Sequence, residues 1–280
     1  MTRSLISPQS RPRLPVVLYL VAVTAAGSAL AQQPAREYEP KVGQPGKDVV
    51  WVPTAQALVD KMLDMAKAAP GDYVIDLGSG DGRTVITAAK RGIKAHGVEY
   101  NSEMVALSKR NAEAAGVADR ATFVNADIFK TDFSAATVLT LFLLPALNEK
   151  LRPAILKMKP GTRVVSNTFG MGDWQPDETA AAPGECQSFC RAMLWIVPAQ
   201  VDGTWKLGAS ELTLKQKHQT FSGKLSTGNV VAPVTKGKLD GDRIVFTAAG
   251  TEYSGRVMGN AMEGTAKARG KPETPWRATR

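Results

Sequence analysis

The chain is poor in the residues that hold metals or relay through thiols. Its 280 residues contain two cysteines, Cys186 and Cys190, and two histidines, His96 and His218. No Cys-x-x-Cys pair occurs, so no metal site is expected. The cysteines are four residues apart. Along one straight strand their Cα atoms would lie roughly 13 Å apart, too far for a disulfide. A turn or helical path would allow one, and two reduced thiols are the alternative.

Acidic residues are absent from residues 1–31, which carry Arg3, Arg11 and Arg13. The three arginines precede an apolar run from Leu14 to Ala31 that closes on Ala29-Leu30-Ala31, a small-x-small pattern suited to signal peptidase. The reading is a signal peptide over 1–31, with Gln32 as the first mature residue and export to the periplasm. Thr24, Gly27 and Ser28 dilute the apolar core, but 18 residues are borderline for a span. The alternative is an uncleaved segment anchoring the chain to the inner membrane. Either way the Arg-rich end stays in the cytoplasm. Residues 32–202 carry a net charge of −1 and residues 203–280 a net of +7, so the basic excess sits at the two ends. A basic C-terminal region suits an anionic or envelope partner; no nucleic-acid partner is expected.

Residues 32–50 read as a linker rich in Pro, Gly and charge. From about Thr54, a plausible N-cap, to Ala68, apolar positions recur at helical spacing. Alternation follows: strand Tyr73–Leu77, helix Arg83–Arg91, strand Lys94–Tyr100, helix Ser102–Ala115 ended by Gly116, and strand Ala121–Ala126. Then come strand Val138–Leu144, helix Pro145–Met158, strand Thr162–Thr168, a long loop over 170–190, and strand Ala192–Val201. Such alternation implies βαβ units and a mostly parallel sheet. After Asp202 short β-rich runs are separated by turn signals, including Ser222-Gly223 and Asp240-Gly241. That pattern reads as a small antiparallel β domain, a meander or partly closed barrel. The fold class is therefore α/β with a Rossmann-like sheet over 51–202, followed by an all-β domain over 203–280.

The chemistry concentrates at strand ends. Val74-Ile-Asp76-Leu-Gly78-Ser79-Gly80-Asp81-Gly82-Arg83 lies where a buried strand turns into a helix. Glycines there allow close approach of a ligand, and the helix start offers unpaired N–H groups. The spacing is G-x-G-x-G, not the G-x-G-x-x-G of dinucleotide oxidoreductases. Asp76 would oppose a pyrophosphate but suits a cationic end such as an amino group. Glu99, 21 residues after Gly78 and followed by Tyr100, suits a ribose diol. Asp127 suits an adenine amino group, with Ile128 packing on the ring. Three acids ending three successive parallel strands fall where such sheets bind ligands.

This set resembles the motifs of class I S-adenosylmethionine (SAM)-dependent methyltransferases. Together with Val52-Pro-Thr, Val59 to Leu63, and the stretch Asp76 to Gly92, it is similar to the ATP synthase c-subunit and adenine nucleotide translocase lysine N-methyltransferases. The resemblance implies SAM as cofactor. It places Asp76, Gly78, Ser79, Gly80 and Gly82 around the methionine end, Glu99 and Tyr100 at the ribose, and Asp127 and Ile128 at the adenine. The C-terminal β domain has no counterpart there.

The acceptor side is less specified. Leu141-Phe-Leu-Leu-Pro145 lacks the Asn/Asp-Pro-Pro-aromatic motif of amide and adenine N-methyltransferases. An apolar turn at Leu143–Pro145 suits a neutral amine, which needs alignment more than a strong base. The segment Asn167-Thr-Phe-Gly-Met-Gly-Asp-Trp174, after the fifth strand, is expected to line the mouth of the site, with Asp173 pairing and Trp174 stacking on a cationic acceptor; Trp51 is expected to help close the site. The expected function is methyl transfer to an amine, a protein lysine or a small amine. The alternative is an exported binding protein that keeps this fold and acts through its β domain.

Overall fold

A computed structural model describes residues 38–280 except Glu185, together with positions 1, 2, 4, 5 and 9. The signal or anchor segment and the first part of the linker lie outside the described residues. Among the described residues no helix is long and apolar enough to cross a membrane. Tyr38–Arg280 forms one compact unit.

Its first half is a seven-stranded sheet. The elements run α1 (Gln56–Met65), β1 (Tyr73–Leu77), α2 (Arg83–Lys90), β2 (Lys94–Glu99), α3 (Ser102–Ala114), β3 (Ala121–Asn125), β4 (Val138–Leu141), α4 (Pro145–Ile155), β5 (Arg163–Asn167), β6 (Glu178–Ala181) and β7 (Arg191–Ile196). The sheet order is β3-β2-β1-β4-β5-β7-β6. The first five strands are parallel, and β7 runs antiparallel to β5 and β6. β1 and β4 are buried almost throughout, as strands covered by helices on both faces must be. One apolar layer joins α1, α2 and α3 to the sheet, and a second lies on the α4 face. The strand order reverses between β1 and β4. Chain segments leave the two strands in opposite directions there, and a crevice opens at their C-terminal ends.

Three local expectations are corrected. The strand from Val138 stops at Leu141, because Phe142–Leu144 turn aside and Pro145 starts α4. Part of the 170–190 loop is β6; its exposed Glu-Thr-Ala-Ala lacks the alternation that marks a strand. Thr54 does not cap α1, whose N-cap is Ala55; the Thr54 hydroxyl instead accepts a 3.2 Å hydrogen bond from the Asn167 amide. The linker reading also fails over 43–51. Gly43 N–H donates to Trp51 C=O at 2.8 Å and Trp51 N–H to Gln44 C=O at 2.9 Å, closing a tight loop.

The second half closes completely. β8 (Gly203–Leu207), β9 (Ser210–Lys217), β10 (Thr220–Thr227), β11 (Val230–Asp240), β12 (Arg243–Ala248), β13 (Thr251–Met258), β14 (Ala261–Ala268) and β15 (Thr274–Thr279) form a barrel in sequence order. β15 returns to β8 through Ala278↔Leu207 and Thr279↔Lys206. Inward positions alternate along the strands and fill the interior with Trp205, Leu212, Leu214, Phe246, Met262 and Trp276. Ser222-Gly223 is not a turn; it lies within β10 at a register shift that bends the strand.

Candidate functional site

The crevice between β1 and β4 is a cleft of about 570 Å³, within the usual range for small-ligand sites. One end is built by the turn after β1. Gly82 takes φ +82°, and a Cβ there would lie 2.8 Å from the Phe123 ring and 2.9 Å from Ser108. Only glycine lets this turn close onto α3 and β3. Gly82 itself does not line the cleft, so it supports the turn by packing. A Cβ on Gly80 would meet the Trp51 indole at 2.8 Å. Polar side chains of α3 hold the turn's carbonyls: the Ser108 hydroxyl donates to Gly80 C=O at 2.8 Å and the Asn111 amide to Asp81 C=O at 3.0 Å. Arg83 donates to both Asp81 carboxylate oxygens and to Thr54 C=O, tying the segment before α1 to the start of α2.

Three strand-end acids meet here, as the sequence indicates. Glu99 accepts from Gly80 N–H at 3.0 Å and from Asn101 N–H at 2.9 Å, so each carboxylate oxygen is aimed by a backbone donor. Asn101 in turn caps α3. Asp76 is 7% exposed and accepts from the Thr140 hydroxyl at 2.6 Å, directly across the β1–β4 register. Burial pushes its carboxyl up to about 7, opposed by the Thr140 hydrogen bond and reinforced by nearby Glu99 and Asp81. Asp127 is paired with Lys47 at 2.8 Å. That hydrogen bond, with another from Phe129 N–H, holds its carboxyl below the usual range. Lys47 also sits 4.9 Å from the centre of the Tyr100 ring. Gly78, Ser79, Tyr100 and Ile128 line the same cleft, and the buried Ser79 hydroxyl has no hydrogen-bond partner.

One wall is apolar. Phe142, Leu143, Leu144, Leu147, Phe169 and Phe189 form it, and Leu143 reaches the glycine turn, its Cδ2 3.2 Å from where a Cβ on Gly78 would lie. The three phenylalanine rings lie with centroids 5.3–6.1 Å apart. Cys186 and Cys190 are joined in a disulfide across a Cα separation of 5.7 Å, which brings Phe189 to the cleft. The fold answers the question the spacing left open: the segment turns before β7.

Asp173 and Trp174 are placed elsewhere. The Asp173 carboxylate pairs with Arg152 at 2.7 Å and with Lys217 of the barrel at 3.1 Å. Trp174 is buried, accepts from the Trp195 indole N–H at 2.8 Å through its C=O, and stacks on His218. Phe169, just after β5, lines the cleft, but by Asp173 and Trp174 the chain has turned toward the barrel, so neither of these lines it. Pro145 is exposed at the first turn of α4, outside the lining as well. Lys47, Thr140, Phe142 and Phe189 were not singled out by sequence; of the segment 167–174 expected at the mouth, Phe169 lines the cleft. Trp51 was, and it lines the cleft.

Residues 76–178 match the profile of the ANTKMT methyltransferase domain. A protein-lysine N-methyltransferase of Saccharolobus islandicus is 48% identical over 133 residues, which are 46% of this chain and 83% of that protein. The chain belongs to this methyltransferase family. It is a SAM-dependent enzyme. A solved RNA methyltransferase of Salinibacter ruber bound to S-adenosyl-L-homocysteine is 43% identical, with a TM-score of 0.50; the match covers 54% of this chain and 96% of that one. The mouse ATP synthase c-subunit lysine N-methyltransferase is 36% identical over 46% of this chain, which spans only 52% of that protein. The methyltransferase cleft suits the cofactor on its own geometry: a buried carboxylate for an ammonium, and acids at successive strand ends.

Proposed function

We propose that the protein methylates the ε-amine of lysine in a protein acceptor. The observation that carries this reading is the polarity of the cleft. Acids line the cleft beside the glycine turn, and the wall formed by Phe142, Leu143, Leu144, Leu147, Phe169 and Phe189 is apolar. Of the lining residues only Lys47 and Arg83 are cationic, and both are engaged by Asp127 and Asp81. A nucleic-acid acceptor would call for cations free to meet phosphates. The Saccharolobus and mouse relatives named as lysine methyltransferases support the protein reading.

The cofactor supplies a methyl group on a positively charged sulfur. Asp76, Gly78, Ser79 and Gly80 would hold its methionine end, Glu99 its ribose hydroxyls, and Asp127 its adenine amino group once Lys47 moves aside. The wall from Phe142 to Leu147 does the remaining work. It excludes water and leaves the N–H donors of a primary ammonium without acceptors, so the incoming amine stays neutral with its lone pair available. Alignment, rather than a strong base, then drives the transfer.

The test is transfer of isotopically labelled methyl from SAM into cell-envelope proteins, read as methyl-lysines after acid hydrolysis. Label is expected in lysine with the wild-type chain and not with Asp76→Ala. Label in nucleic acid alone would overturn the reading. We further propose that residues 1–31 direct export and are cleaved. Fractionation should find the protein in the periplasm with Gln32 at its N-terminus; full-length chain in the cytosol would refute this. The net +7 of residues 203–280, with Lys206, Lys215, Lys217 and Lys224 exposed, supports contact with an anionic surface. Co-sedimentation with phosphatidylglycerol vesicles that salt abolishes is the expected result.

A further inference from the structure

Phe189 lies beyond the segment that matches the family profile, which ends at residue 178. It nevertheless reaches the cleft and completes its apolar wall. Its backbone takes φ +55°, a left-handed conformation that bulky side chains rarely adopt. The residue is 37% exposed. An exposed aromatic in such a conformation persists only where its surroundings fix it. Two constraints do so. The Cys186–Cys190 disulfide closes a five-residue loop with Phe189 inside it, and Ala182 N–H donates to Cys190 C=O at 2.7 Å, tying the loop to the β6–β7 edge. The ring meets Phe142 at 5.3 Å and Phe169 at 5.8 Å, from two other segments of the chain. Beside them stands Leu144, itself 46% exposed.

We propose that Phe189, held at the cleft by the Cys186–Cys190 disulfide, is a specificity-determining residue that selects acceptor amines carried on an unbranched alkyl stem. The inference rests on the methyl-transfer reading above and adds the element that recognises the stem. The wall formed by Phe142, Phe169, Phe189 and Leu144 offers an alkyl chain apolar faces on one side. It offers no hydrogen-bond partner to a polar one. Removing Phe189 opens that side to water. Removing the disulfide lets the loop relax to ordinary backbone angles, which withdraws the ring without touching the acidic side of the cleft.

The experiment uses the full chain saturated with S-adenosyl-L-homocysteine and titrates two cations by calorimetry. Butyltrimethylammonium has the stem, and tetramethylammonium lacks it. The wild type is expected to bind the butyl compound more tightly. Phe189→Ala, and separately Cys186→Ser with Cys190→Ser, should each weaken butyltrimethylammonium about tenfold, the loss of apolar burial along the stem, and leave tetramethylammonium nearly unchanged. Phe189→Leu should restore most of the affinity. In every variant the S-adenosyl-L-homocysteine affinity should match wild type, a result that a merely structural loop would not give. Equal butyltrimethylammonium affinity in wild type and Phe189→Ala overturns the proposal. So does a parallel fall in S-adenosyl-L-homocysteine affinity, or a disulfide-free variant that binds like wild type. None of these readouts needs turnover. Failure here with labelled lysine still formed would reject only the stem recognition, whereas absence of label rejects the methyl-transfer reading itself.

Discussion

The two halves of this chain solve the same packing problem in opposite ways. The open sheet buries both faces under helices and leaves a crevice where its strand order reverses. The barrel closes on itself and fills its interior with side chains, Trp205, Phe246 and Trp276 among them. Every residue lining the cleft comes from before β7, and the barrel contributes none. Chemistry thus sits where the architecture forces a gap. The barrel contributes stability and a basic outer surface.

Substitutions can break this division. The largest expected effect is on the cleft: Glu99→Ala should lower S-adenosyl-L-homocysteine affinity by about 100-fold or more, since it removes an acceptor of two charge-assisted bonds and unties Gly80. Calorimetry reads this, and a loss below about tenfold would show that the strand-end acid is not used. In the barrel, Trp205→Ala should cost about 3–5 kcal/mol of stability in denaturant unfolding, yet leave the ligand affinity of the folded protein unchanged. A change in affinity there would show that the barrel is coupled to the cleft.

Asp76 sharpens the contrast through pH. Its carboxyl is raised from 3.8 to about 7 in the free protein. Stability from keeping it neutral is present below the unfolded value and is lost as pH rises through about 7. The free protein should therefore weaken across that range, by on the order of 4 kcal/mol at most. An ammonium ligand needs the ionised form, so S-adenosyl-L-homocysteine affinity should rise by up to about tenfold per pH unit below 7 and level off above it. Asp76→Asn should flatten both profiles, stabilising the free protein at pH 8 while losing the ligand. The smallest effect is expected from Lys47→Ala. Its ion pair with Asp127 is exposed, and affinity should change by less than about fivefold.

The acidic side of the cleft was legible because each of its features is local. A glycine turn and an acid at a strand end need only a few consecutive residues to be seen, and Asp76, Glu99 and Asp127 do line the cleft. The apolar wall was not legible. Asp173 and Trp174 follow β5 in sequence, the usual place for a mouth residue, but Arg152, Lys217 and His218 draw them toward the barrel. Phe142, Phe169 and Phe189 come from three separate segments, and nothing in their local sequence separates them from core packing. Lys47 lay in a stretch that reads as linker, and its partner is 80 residues away.

The sequence by itself determined the parallel sheet, the positions of the three acids and the β character of the last 78 residues, because periodicity and turn chemistry act over short range. Only the tertiary structure decided that the last strands close into a sealed barrel, that Cys186 and Cys190 meet, and which apolar side chains line the cleft. Those outcomes depend on contacts between residues far apart in the chain. Their energies arise only once the elements are packed against one another.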